Sequence, residues 1–171
     1  MTTLACRKAG PHDAAALAAL FSRSFTETFG DLYSAENLAA FLAEMSEDKW
    51  REELSDPRFA FRLAEADGVA VAFVKLGPPA FPIDMPAGSI ELRQLYVLGA
   101  WQGAGLAAGL MAWALDEARA RGAPEIYLSV YVDNVRARRF YERYGFEYVA
   151  PYAFMVGTQA DEDIIMRLRL T

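Results

Sequence analysis

Several residues between Glu91 and Phe146 are of types and spacings that do chemistry. The segment Gln102-Gly103-Ala104-Gly105-Leu106-Ala107 falls where an apolar strand pattern gives way to a helical one. Glycines at 103 and 105 let a backbone come close to a ligand and turn its N–H groups outward. Such groups are the unpaired donors of a helix start, where the dipole also favours negative charge, so a pyrophosphate fits without a basic side chain. Asn134 precedes a second helical pattern, as its N-cap, as a polar ligand contact, or both. Tyr141 brings a phenol that keeps its proton to about pH 10, or it is a core aromatic beside Phe140. Glu91 is either a proton acceptor or an exposed strand carboxylate paired with Arg93. Cys6 lies on a first strand with no basic partner in sequence and is a poor nucleophile.

Taken alone, the glycine turn also fits two other readings. One is a plain helix start with small residues for tight packing. The other is a dinucleotide fingerprint, since Gly103-x-Gly105-x-x-x-Gly109 follows a strand and opens a helix, with Asp133 ending the next strand. That fold needs further βα repeats, whereas the chain after Val132 offers one short helix and a terminal hairpin. Asp133 also lies later than the roughly 20-residue spacing of a ribose-binding acid.

The elements that would position these residues are readable from period and punctuation. Leu4 to Lys8 predicts a first strand, and Pro11-His12-Asp13 opens an alanine-rich helix with Leu17, Leu20 and Phe21 at helical spacing. Ser34 caps a second helix carrying Leu38, Phe41, Leu42 and Met45, and a shorter helix spans Asp48 to Leu54. Strands at Phe59 to Glu65 and Val69 to Leu76 flank the hairpin turn Asp67-Gly68. Gly77 to Gly88 holds Pro78, Pro79, Pro82 and Pro86 and predicts an irregular insertion. A strand over Ile90 to Leu98, a helix from Gly103 to about Arg121, a strand over Ile126 to Val132 and a helix over Val135 to Tyr144 follow. Strands near Phe146 to Val149 and Asp163 to Leu170 close the chain. The order β-α-α-β-β-β-α-β-α-β-β predicts one mixed α/β (α+β) domain over residues 1–171, with a mainly antiparallel sheet flanked by helices.

Composition narrows the function classes. The chain has 171 residues, enough for one compact domain with a continuous core. A single cysteine excludes an internal disulfide, and with His12 as the lone histidine no metal site is expected. The N-terminus lacks the apolar stretch of a signal peptide, and no segment suits a bilayer, so a cytoplasmic protein without membrane partners is expected. A net charge of −6 argues against nucleic acid as a partner. The charge is unevenly spread. Ser24 to Asp56 holds nine acidic residues against Lys49 and Arg51, while Asn134 to Phe146 holds Arg136, Arg138, Arg139 and Arg143 against Glu142. One stretch suits a cation and the other a phosphate-rich anion, unless both are merely solvated helix faces.

The strand, the turn Gln102 to Ala107, the helix, and the register Asn134-x-x-Ala137-x-x-Phe140-Tyr141-x-x-x-Gly145-Phe146 together resemble the GNAT (GCN5-related N-acetyltransferase) superfamily. The resemblance implies acetyl-CoA as acyl donor and transfer of its acetyl group to an amine by direct attack. It implies that the turn holds the pyrophosphate, that Leu95, Tyr96, Val97 and Leu98 contact the pantetheine arm, and that Asn134 helps to hold it. The Val97 N–H would face the thioester carbonyl, and Tyr141 would protonate the departing sulfur. Glu91 stands eleven residues before Gln102, where some family members place a base. Ala107 and Ala104 depart from the family's usual glycine and basic residue, and the second change removes a phosphate contact. Homodimers are common in this superfamily.

The segments Phe25-Thr26-Glu27-Thr28-Phe29, Ser34 to Leu38, and Gly157 through Ile164-Ile165-Met166 also look like the bacterial PaiA-type polyamine acetyltransferases. The first helices wall the acceptor groove in this fold, so Glu27 and Asp31 are expected to attract a cationic amine. Phe25, Phe29 and Tyr33 would line its methylene chain, though two of them at least suit the core. Acetylation of a protein N-terminus or lysine stays open as an alternative, as does a non-catalytic CoA-binding regulatory module.

Overall fold

Seven strands join one sheet in the order β1-β2-β3-β4-β5-β7-β6 in a computed structural model, which describes residues 1–170. β1 is Leu4–Lys8, and α1 is Ala14–Phe29, entered through a single turn at Pro11–Asp13. α2 is Ala35–Glu44, capped by the Ser34 hydroxyl accepting from the Asn37 N–H at 3.1 Å. α3 is Glu47–Ser55, capped in the same way by Ser46, and is the shorter helix expected over Asp48 to Leu54 that the summary order leaves out. β2 (Ala60–Ala66) and β3 (Val69–Gly77) form the expected hairpin, with Asp67 and Gly68 both at positive φ. β4 is Ile90–Val97, α4 Leu106–Ala120, β5 Glu125–Tyr131, α5 Val135–Arg143, β6 Glu147–Val156 and β7 Gln159–Arg169. The observed order is that of a mixed, mostly antiparallel sheet flanked by helices, as the sequence predicts.

The core explains why the sheet is covered on both faces. Residues Val71 to Gly77 of β3 are buried without alternation, the signature of a strand with packing on each side. On one side Phe73 meets Trp50 of α3 at 5.6 Å and Tyr96 of β4 at 6.0 Å between ring centroids. Phe21 of α1 packs edge-on against Tyr96. α4 supplies the other cover, burying Leu110, Met111, Ala114 and Ala118 at helical spacing.

Two local features differ from the sequence expectation. α4 starts three residues late, because Gly103 and Gly105 adopt φ of 84° and 81° and cannot continue a right-handed helix. The terminal hairpin is longer at both strands than the expected Phe146 to Val149 and Asp163 to Leu170. Pro151 lies within β6, which is tolerated because β6 is the last strand of the sheet and needs no donor on its outer side. Asp161 and Glu162 precede the expected strand start at Asp163, yet both belong to β7, where Asp161 and Asp163 are buried and Glu162 is exposed.

Candidate active site

Among the described residues β4 and β5 are the only parallel neighbours, joined by the α4 crossover, and they pair at just two positions, Ile90↔Ile126 and Glu91↔Tyr127. Beyond these the strands part. The separation leaves the inner edge of β4 without ladder partners. Leu98 N–H donates to Val71 O on β3 at 3.0 Å, and N–H groups alternate sides along a strand. The Val97 N–H, one residue earlier, therefore points into the gap. A cavity of about 740 Å³ occupies it, lined from α1, β4, β5, α5 and β7. Leu95, Tyr96, Val97, Gln102, Ala107, Asn134 and Tyr141 all contribute to this lining.

One end of the cavity suits phosphate. A Cβ added to Gly103 or Gly105 would meet nothing within 4 Å, so backbone conformation, not packing, demands glycine there. Gly109 N–H is bonded back to Gly105 O at 3.2 Å, and the N–H groups of Leu106, Ala107 and Ala108 ahead of it have no intrahelical acceptor. No side chain caps the helix. Gly103, Ala104, Gly105 and Leu106 form this mouth without lining the cavity proper, and Leu98 turns into the core. Gln102 joins the two sides, donating to Val97 O at 3.2 Å and accepting from Arg136 Nη1 at 2.5 Å. Arg139 and Arg143 line the same region from α5. Asn134 Oδ1 accepts from the Ala137 N–H at 3.3 Å, so it caps α5 while facing the cavity.

Tyr141 sits on α5 between Phe140 and Phe146, with ring centroids at 5.5 and 5.8 Å. Burial pushes its phenol up to about 12, so it carries its proton throughout the physiological range. Its hydroxyl has no hydrogen bond to any described residue.

The end of the cavity beside α1 is aromatic, and the acids of the first helices do not face it. Phe25, Thr28 and Phe29 share one face of α1 at i, i+3 and i+4 and line the cavity, with Tyr33 and Phe41 beyond them. Phe25 stacks on Tyr33 at 5.9 Å and lies 5.2 Å from Phe29. Glu27 is two residues from Phe25 and turns to another side, where it pairs with Arg23 at 3.1 Å and accepts from Gly99 N–H at 3.1 Å. Asp31 is exposed on the turn after α1. Neither residue lines the cavity, nor does any other of the nine acids in Ser24 to Asp56. Several are engaged elsewhere: Glu47 and Asp48 with Arg51, Glu53 with Lys75, Asp56 with Arg58.

The carboxylates in the cavity come from β7. Asp161 accepts from the Tyr33 hydroxyl and from Gln159 Nε2 at 3.0 Å. Asp163 is 5% exposed, and burial, then the neighbouring Asp161, pushes its carboxyl up to about 7. The Ser129 hydroxyl lies near enough to ease this shift without reaching hydrogen-bond geometry. Sequence reading missed both residues. The signal was there: Asp161 and Asp163 are in phase with Ile165, one face of a period of two.

Glu91 is 9% exposed and lies outside the cavity lining. Its Oε1 accepts from the Ala80 N–H at 3.0 Å, while Arg93 donates to Pro78 O at 2.5 Å. The two side chains pin the proline-rich insertion, whose Phe81 packs edge-on against Tyr152 at 5.1 Å.

A sheet split at one parallel pair, a glycine turn at its mouth and a buried phenol in the gap define the class of acyl-CoA-dependent acyltransferases. The sequence profile of the acetyltransferase (GNAT) family matches residues 15–146, and the chain belongs to that family. An uncharacterized N-acetyltransferase of Mycobacterium bovis is 34% identical over 155 residues, spanning 90% of this chain and 96% of the relative. In fold, the chain is similar to the PaiA N-acetyltransferase of Thermoplasma acidophilum, solved with coenzyme A, with a TM-score of 0.78 at 23% identity over 98% and 99% of the two chains. The Salmonella typhimurium protein yncA, solved with its cofactor acetyl-CoA, is similar with a TM-score of 0.68 at 22% identity over 98% and 94%. The chain is thus an acetyl-CoA-dependent N-acetyltransferase. Its residues fit that group, with free helix N–H donors and arginines at the mouth and an unpaired strand edge along the gap. Among the described residues no group of three metal-ligating side chains converges, and no helix is long and apolar enough to cross a membrane.

Proposed function

We propose that the protein transfers the acetyl group of acetyl-CoA to a small cationic primary amine, a polyamine being the best match, by direct attack. The observation that carries this is the shared cavity, where the Val97 N–H, the Tyr141 phenol and an aromatic acceptor end meet in one opening between β4 and β5. Gln102 to Ala107 hold the pyrophosphate on unpaired N–H groups, Leu95 to Leu98 run beside the pantetheine arm, and Asn134 steadies it. Acetyl-CoA supplies a carbonyl already activated as a thioester. The Val97 N–H stabilises the negative charge that develops on its oxygen, which mutagenesis elsewhere values at about 3–4 kcal/mol. Tyr141 delivers a proton to the sulfur. Phe25, Phe29 and Tyr33 support a chain of methylenes between charges, as in spermidine. A homodimer belongs to this proposal on the family resemblance alone.

The test is release of CoA thiol across spermidine, spermine, amino acids, aminoglycosides and short peptides. Polyamines are expected to turn over fastest, and Tyr141→Phe to lower kcat by about 10²–10⁴-fold with CoA affinity retained. Turnover on peptides alone would discard the polyamine acceptor and keep the enzyme. No turnover on any amine, with CoA bound, would favour a regulatory module.

A further inference from the structure

An alkylammonium holds its proton to about pH 10.4 and cannot attack until it loses it. We infer that Asp163, beside Asp161 on β7, receives the acceptor's ammonium and takes its proton in place of Glu91. This rests on the cavity being an amine acetyltransferase site.

Burial and partners set Asp163 apart. It is buried, yet its side chain lines the cavity. Asp161, the neighbouring acid, has two donors, Tyr33 and Gln159, while Asp163 has no ion pair among the described residues and only the Ser129 hydroxyl near enough to donate to it. The groups that face it are Asp161 on its own strand, Ser129 and Tyr131 from β5, Tyr96 from β4, Tyr152 from β6 and Tyr33 after α1. None of these carries a positive charge. A buried carboxylate without a cation is costly, and a fold that keeps one at a cavity wall has left the counter-charge to a ligand.

Position and proton affinity agree with a base. The Tyr96 phenol is pushed up by burial and then by both Tyr141 and Asp163, so it stands within electrostatic reach of the acid and of the carboxylate. Burial pushes the Asp163 carboxyl up to about 7, where a group can accept a proton from the amine and return it to water. Glu91, by contrast, spends its carboxylate on the Ala80 N–H under the insertion.

The ammonium passes one proton to Asp163, and the freed lone pair forms the C–N bond as the C–S bond breaks. Tyr141 protonates the sulfur, the nitrogen gives up its second proton to water, and water restores that of Tyr141. Asp163 then releases its proton to solvent, one per acetyl transferred.

The test is kcat/KM against pH, with whichever amine turns over fastest, for the native enzyme, Asp163→Asn and Glu91→Gln. Thermal melting and CoA affinity are measured on each. We expect Asp163→Asn to lose about 100-fold or more in kcat/KM and to lose the acid limb, while melting no lower and binding CoA as before. An Asp163→Asn enzyme within about threefold of native with its acid limb intact would overturn the inference, as would loss of that limb in Glu91→Gln alone. A native enzyme that acetylates no amine would instead bring down the underlying reading. Native turnover with Asp163→Asn unaffected would bring down this inference only.

Discussion

Among the buried ionisable side chains, Lys75 and Asp163 sit in surroundings built in opposite ways. Lys75 on β3 is 1% exposed, its Nζ lies 2.8 Å from Glu53 Oε1, and it sits 4.4 Å over the Trp50 ring. Desolvation pushes it down to about 8, against the pull of Glu53 in the other direction. Every feature of that site answers the charge from within the fold. Asp163 on β7 is nearly as buried but faces a cavity, an acid, four phenols and the Ser129 hydroxyl, none of them a cation. A buried charge with an internal partner is architecture, whereas a buried charge that faces only a cavity marks where something must bind.

The largest effect should come from breaking the paired site. Glu53→Gln leaves Lys75 buried beneath α3 without its counter-ion, which is expected to cost about 3–5 kcal/mol of stability. The sign with pH follows from the lysine. Its folded value is already depressed and falls further without Glu53, so the loss is greatest at neutral pH and below. It shrinks as pH rises through about 8, because Lys75 of the native protein then sheds its own proton and no longer needs the counter-ion. Denaturant melts at pH 6 and pH 10 would show this, and a loss equal at both would mean that packing, not charge, fails. Acetyl-CoA binding should persist wherever the protein is folded.

Neutralising the unpaired site should do the reverse. Asp163 has a raised folded value, so its native state favours the protonated form, and stability is lost as pH rises from about 4 through 7. Asp163→Asn removes that cost. It should gain about 1–2 kcal/mol at pH 8, less than the full shift implies because the cavity admits water, and little or nothing at pH 4. Melting temperature at the two pH values checks it. A destabilised Asp163→Asn at pH 8 would mean that the carboxylate already has a partner, and the contrast with Lys75 would collapse.

What the sequence could and could not show divides along the same line. The turn at Gly103 and Gly105, the cap at Asn134 and the phenol at Tyr141 are local signals, each fixed by residues a few positions away, and all face the same gap or its mouth. The acceptor end is not local. Glu27 and Asp31 belong to the stretch that walls the groove, but helical phase gives the groove Phe25 and Phe29 and turns Glu27 toward Gly99. Asp161 reaches Tyr33 across 128 positions of sequence, a pairing that strand order creates and no window of sequence contains. Charge composition likewise predicts an acidic wall without saying which strand supplies it.

The finest test concerns Tyr33, which donates to Asp161, the satisfied neighbour of Asp163, and stacks within the aromatic lining. Tyr33→Phe keeps the ring against Phe25 and deletes one of two donors to Asp161, leaving Gln159 Nε2 at 3.0 Å as the other. A hydrogen bond to a charged group contributes about 1.5–3 kcal/mol, and water entering the cavity replaces part of it, so the net effect should be near the lower bound. If Asp161 serves to hold the ammonium while Asp163 takes its proton, the change falls on binding. KM for spermidine should rise about tenfold with kcat within about twofold. The opposite split, kcat falling at constant KM, would put Tyr33 and Asp161 in the proton transfer itself. Asp163 would then no longer be the one buried acid left waiting for a charge.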